Sequence, residues 1–317
     1  MTSEPRVRVP EEDSRAFTEI AIGIRASWHV FNHSPAPVSG SPFAQVHDLY
    51  PFELLADRAQ AYVRAALEHL MWWADWVAPL KFHPEQVTNF SLRPAYTLGR
   101  AGLESAAQAV WMLDTTSPQE CIRRHICLMR WDLQEHRKSK LDQAGKDVVK
   151  SREDDLIHRV SEVFSEEEVQ APKGYLAVIR AAAECRDVPL EANDAERLWR
   201  AASGVAHGMY WPTRDLQRPA VAENPDGSST GREILVPDTK AMGELVDAAF
   251  RMTQLAVLRY AEYCGADLVA LHQDAMSDIA HSLPIREGVD PAWKSLVGAG
   301  LASRLAEMVA AESRDGS

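Results

Sequence analysis

Apolar residues recur at three- and four-residue intervals over most of the chain, and that period predicts helices. Leu54, Leu55, Ala59, Tyr62, Val63, Ala66, Leu67, Leu70 and Met71 mark one helix that stops before Pro79. A second runs from Ser91 to Leu113, with Pro94 tolerated in its first turn. A third starts after Ser117, where Pro118 takes the first helical position and Glu120 stands three residues beyond the cap, and runs to about Lys140. A charged helix follows over 146–164 and a short apolar one over 172–186. Asn193 is the expected cap of a helix over 194–207, again with a glutamate, Glu196, three residues on, and with Gly208 just past its end. Helices resume over 238–263, from 265 or 266 to 281, and over 291–312.

Elsewhere the period fails. Residues 15–33 mix apolar and polar positions and fit a strand or a short helix, and 35–42 read as loop. Residues 209–238 carry Pro212, Pro219, Pro225, Gly227, Gly231 and Pro237. They predict a long excursion, with Asn224-Pro225-Asp226-Gly227 as the turn of a hairpin. The expectation is an all-α bundle of about eight helices in a single domain, 1–317. Within it, 1–14 form a flexible arm, 50–265 the helical core and 266–317 the C-terminal helices.

Composition narrows the function classes. The 317 residues are 46% hydrophobic and 25% charged, a balance that supports a large core. The net charge of -12 argues against stable, extended nucleic-acid binding and against adsorption to an anionic membrane. The polar N-terminus lacks a signal-peptide core, and no apolar run of membrane-spanning length occurs, so no membrane association and a cytoplasmic location are expected. Cys121, Cys127, Cys185 and Cys264 form no Cys-x-x-Cys pair. Glycine-rich phosphate loops, dinucleotide fingerprints and nucleophile elbows are absent, and no cofactor is expected.

One segment carries sharper chemistry. Arg200 and His207 are seven residues apart, almost two helical turns, so they share a face with Cα atoms roughly 10 Å apart. A guanidinium offers paired donors to phosphate oxygens, and an imidazole moves protons near neutral pH. Ser203 adds a hydroxyl, and Gly204 and Ala206 leave room for a neighbouring helix or a bound group. On an earlier helix Arg93, Arg100 and Glu104 share a face, and Glu104 lies in a small, apolar stretch where a carboxylate needs a partner. Arg100 and Arg200 are both candidates for that partner. The plain alternative is that Arg200 pairs with a carboxylate while His207 closes the helix end.

An Arg, six intervening residues and a His at a helix end, inside an all-helical bundle, resembles the Arg-x(4–6)-His motif of the HEPN superfamily. The match covers this motif and the general architecture. It differs at Ala201, where the family often has a polar residue. The resemblance implies a homodimer that brings two motifs together as a metal-independent endoribonuclease. It assigns Arg200 to the scissile phosphate of an RNA substrate and His207 to proton transfer as a ribose 2′-hydroxyl attacks. Ser203, Glu104 and Arg100 are the expected supporting residues, and no metal is needed. The family also contains non-catalytic binders.

Two readings compete with it. One is a non-catalytic helical interaction or regulatory module. The other is a dinuclear-metal helical-bundle enzyme, suggested by Asp155/His158 and Asp278/His281, although no Glu-x-x-His occurs. Cys121, His125 and Cys127 on one helix, and His29 and His33 with His47 nearby, are thinner metal candidates. Trp72, Trp73 and Trp76 ring one helical turn and suit core packing or an interface.

Overall fold

The structure is a computed structural model that describes residues 7, 9–80, 91–185, 187, 190–223 and 228–282. Its elements run α1 (Glu11–His33), α2 (Pro42–Leu49), α3 (Leu55–Val77), α4 (Leu92–Leu113), α5 (Pro118–Ser139) and α6 (Gln143–Val160). After them come α7 (Tyr175–Ala183), α8 (Ala192–Ala206), α9 (Tyr210–Asp215), β1 (Gln217–Glu223), β2 (Ser229–Pro237), α10 (Thr239–Cys264) and α11 (Leu268–Ser282). The fold is a helical bundle with one small two-stranded sheet, as expected, and has eleven helices among the described residues.

α4 is the axle of the bundle. It packs against α3 and α10, and its other contacts are with α8, α7 and α5. Its sequence explains the position: Ala95, Gly99, Gly102, Ala106, Ala107 and Ala109 are small and buried, so neighbouring helices come close. A Cβ on Gly99 would sit 3.1 Å from Leu245 of α10, and one on Gly102 would sit 3.1 Å from Leu70 of α3. Tight approach on both sides maximises dispersion contact in the core.

α1 resolves the ambiguous stretch as a 23-residue helix. Glu11, Glu12 and Asp13, expected in a flexible arm, form its acidic first turn, where carboxylates complement the helix dipole. Its burial runs through Ile20, Ala21, Gly23, Ile24, Arg25, Ala26 and Ser27 because α3, α10 and α11 all pack on it. Buried Arg25 donates to the carbonyls of Ala74 (3.3 Å) and Ala78 (2.8 Å) and to Asp75 (2.8 Å), satisfying the end of α3. Trp73 packs edge-on against Phe17 in the core, whereas Trp72 is exposed.

Ser117 caps α5 by accepting from the Glu120 amide at 3.3 Å. Asp238 caps α10, accepting from Lys240 and Ala241, and Gly265 closes that helix in a left-handed conformation. α6 and α7 are shorter than expected, since the chain leaves the helix after Val160 and enters α7 only at Tyr175. The excursion after Gly208 is the short helix α9 followed by an antiparallel hairpin with Ala220 opposite Ile234. Its expected turn, 224–227, and the expected helix over 291–312 lie outside the described residues. Among the described residues, no helix is long and apolar enough to cross a membrane.

Candidate functional site

α8 is strongly amphipathic. Ala195, Leu198, Ala202 and Val205 face inward, and α8 packs on α4 and α7. Its first residue is Ala192, one position before the expected cap, and Glu191 precedes it without a side-chain capping bond. Asn193 and Glu196 therefore do not form the expected capping pair. Both turn to Arg180 of α7 instead, which donates to Asn193 Oδ1 at 3.4 Å and to Glu196 Oε2.

Arg200 and His207 do not pair with one another. Arg200 Nε donates to Glu196 Oε1 at 2.7 Å, one turn back along α8, and its side chain is 58% exposed. Glu196 thus lies between two guanidinium groups. Arg200 and then Arg180 hold its carboxyl below the usual carboxylate range. Two cations thus share this one carboxylate.

His207 is the C-terminal cap of α8. Its amide donates to the Ser203 carbonyl at 3.0 Å, and half-buried Ser203 contributes its backbone to the site in this way. Gly208, with φ +71°, reverses the chain. Its amide donates to Val205 O, and Met209 N donates to Gly204 O at 2.9 Å, which completes a Schellman closure. The imidazole itself is exposed, with Nε2 3.4 Å from Nη1 of Arg100 on α4. An arginine N–H can only donate, so as a hydrogen bond this contact has Arg100 donating and the imidazole nitrogen accepting.

Glu104 anchors the α4 side. Its Oε1 accepts from Arg100 Nε and from Trp199 Nε1, both at 2.7 Å. The Arg100 guanidinium also lies 5.6 Å from the Trp199 ring centroid. The partner of Glu104 is therefore Arg100, joined by an indole from α8, and Arg200 remains outside this knot. Burial, and after it the charge of Glu104, pushes the Tyr175 phenol up. Arg93 does not join the group: it lines a groove at the base of the hairpin with Ser91, Gln217 and Pro237.

The space above Gly204 is filled from within the chain. A Cβ there would lie 2.8 Å from Pro212 Cγ and 3.2 Å from Trp211 Cζ2, so α9 occupies the room that the small residue offered. Trp199, Glu196 and Arg180 are the partners that sequence reasoning missed. Glu196 carried a usable signal, since a glutamate four residues before an arginine is the favoured helical ion-pair order.

The metal candidates disperse. No group of three His, Cys, Asp or Glu side chains suited to a metal occurs among the described residues. Asp278 meets His29 at 3.3 Å, and the His29 and His33 rings stack. Asp155, His158 and His47 are exposed. His125 is buried 3.5 Å from Glu53, and burial pushes the Cys121 thiol up to about 12 and raises that of Cys127. Comparison with protein-family models, with curated proteins and with solved structures finds no match.

Proposed function

We propose that the chain is a HEPN-like protein acting as a metal-independent endoribonuclease, with Arg200 and His207 working across a homodimer in the cytoplasm. One observation carries this reading. Both side chains are exposed on α8, Arg200 in mid-helix and His207 at its C-cap; the carboxylate that meets Arg200, Glu196, is shared with Arg180, and Glu104 is engaged by Arg100 and Trp199.

In this reading a phosphate of single-stranded RNA displaces Glu196 from Arg200, an exchange of one anion for another at an exposed guanidinium. Once Arg100 has moved off it, His207 Nε2 accepts the proton of the ribose 2′-hydroxyl on the lone pair that the guanidinium N–H had occupied. The 2′-oxygen attacks phosphorus, the bond to the 5′-oxygen breaks, and the products are a 2′,3′-cyclic phosphate and a 5′-hydroxyl. The leaving oxygen takes its proton from the second motif of the dimer.

The test is cleavage of a labelled RNA in chelator by the parent chain and by His207→Ala. The parent is expected to cut and the variant to lose at least a hundredfold in rate, within the range of about 10²–10⁴ for a general base. Equal cleavage by both would sink the assignment. The alternative, a non-catalytic interaction module, is favoured by the Glu196 bridge to Arg180 and Arg200, and it requires no cleavage by either chain.

A further inference from the structure

Directly after His207-Gly208 the chain places three large apolar side chains in solvent: Met209 is 55% exposed, Tyr210 75% and Trp211 44%. They do not belong to a frayed end. The Schellman closure ties Met209 to α8, Leu216 N donates to Pro212 O at 2.9 Å at the end of α9, and Trp211 lies over Gly204. Three such side chains in succession, held in water next to a polar site, make a contiguous apolar patch of the kind that binding surfaces use.

The charged groups around this shelf select the occupant. They include two ion-paired groups, Arg100 with Glu104 and Arg180 and Arg200 with Glu196, and α9 itself carries Arg214 and Asp215. Of these, the guanidinium of Arg200 is the one more than half exposed among the ion pairs just named. Exposed aromatic faces beside guanidinium groups match the two parts of a single strand of nucleic acid, bases that stack and phosphates that carry charge. A protein partner covering the shelf would have to desolvate the exposed guanidinium of Arg200, at a cost that apolar contact must first offset.

We propose that Tyr210, with Trp211 beside it, is a stacking platform for a base of single-stranded RNA whose flanking phosphate lies at Arg200 and His207. The choice of RNA rests on the ribonuclease reading. Tyr210 is three positions after His207, so their Cα atoms are at most about 11 Å apart. The platform orients the strand and takes no part in bond breaking.

The experiment uses a fluorescein-labelled 2′-O-methyl single strand, which lacks the attacking hydroxyl, and reads anisotropy with the full chain. Tyr210→Ala is expected to weaken binding roughly tenfold, as loss of one stacked base does. Because no phosphate contact is removed, the slope of affinity against salt stays the same. Tyr210→Phe keeps the ring and is expected to bind like the parent. The side chain is largely in solvent, so its removal leaves the fold intact.

Unchanged binding by Tyr210→Ala overturns the platform. So does a Tyr210→Ala chain that loses self-association in sedimentation while its RNA affinity holds, since the shelf then belongs to a second copy. Separately, if His207→Ala cuts RNA as well as the parent while Tyr210→Ala loses binding, the cleavage reading fails and the platform stands. If the parent does not bind the strand, the platform falls whatever the cleavage result.

Discussion

Two arginine–glutamate pairs stand on the two helices of the α4–α8 seam, one on each. They share chemistry, a four-residue spacing and a 2.7 Å contact. Arg100 and Glu104 on α4 are 20% and 12% exposed, and an indole from α8 adds a second donor to the same carboxylate oxygen. Arg200 on α8 is 58% exposed, and the Glu196 it meets is shared with Arg180. The first pair is enclosed, so breaking it strands groups that cannot regain water. The second is open, so solvent or an incoming anion replaces either partner at little cost. The same two residue types at the same spacing, in opposite order along the helix, thus serve opposite ends, one fastening two helices and the other keeping a cation available.

The comparison breaks most visibly at Glu104. Glu104→Ala removes the acceptor of both Arg100 and Trp199 and is expected to cost about 2 kcal/mol of stability, read as a lower urea midpoint with unchanged slope. A midpoint equal to the parent's would mean that the knot contributes nothing to the seam. A smaller effect is expected at Gly204→Ala. The added methyl must push Pro212 and Trp211 of α9 aside, at a net cost of about 1 kcal/mol after the gain in helix propensity. Near-ultraviolet circular dichroism should register the moved indole, and an unaltered spectrum would show that α9 does not rest on α8. Smallest of all is Glu196→Ala, which is expected to leave the urea midpoint where it was because Arg180 and Arg200 gain water in exchange.

The helical architecture was legible wherever a helix buries one face. α3, α4, α5 and α10 show the period, and Ser117 caps α5 as its sequence indicates. α1 was blurred because three helices cover it and its burial runs nearly all round. α2 and α9 are about two turns or fewer, too short to display a period at all. Residues 209–238 were legible as a break from their prolines and glycines, and the hairpin sits within them.

Within the candidate site, the Arg200/His207 spacing and the need of Glu104 for a partner could be read from the chain. The contacts that decide their surroundings could not. Trp199 reaches Glu104 across 95 residues, and Arg100 reaches His207 across 107. Both depend on how α8 is rotated against α4, which only the packed core determines. Asn193 misled because its type suits a cap, while tertiary pairing with Arg180 drew it inside the helix.

The most direct measurement takes Arg200→Ala and reads folding and cleavage on the same preparation. An open, available guanidinium is expected to leave the urea midpoint unchanged and to lower the rate of RNA cleavage in chelator by about a hundredfold or more, the loss typical of one electrostatic donor to a reacting centre. Cleavage equal to the parent's, or a loss of activity that merely follows a loss of fold, would contradict it.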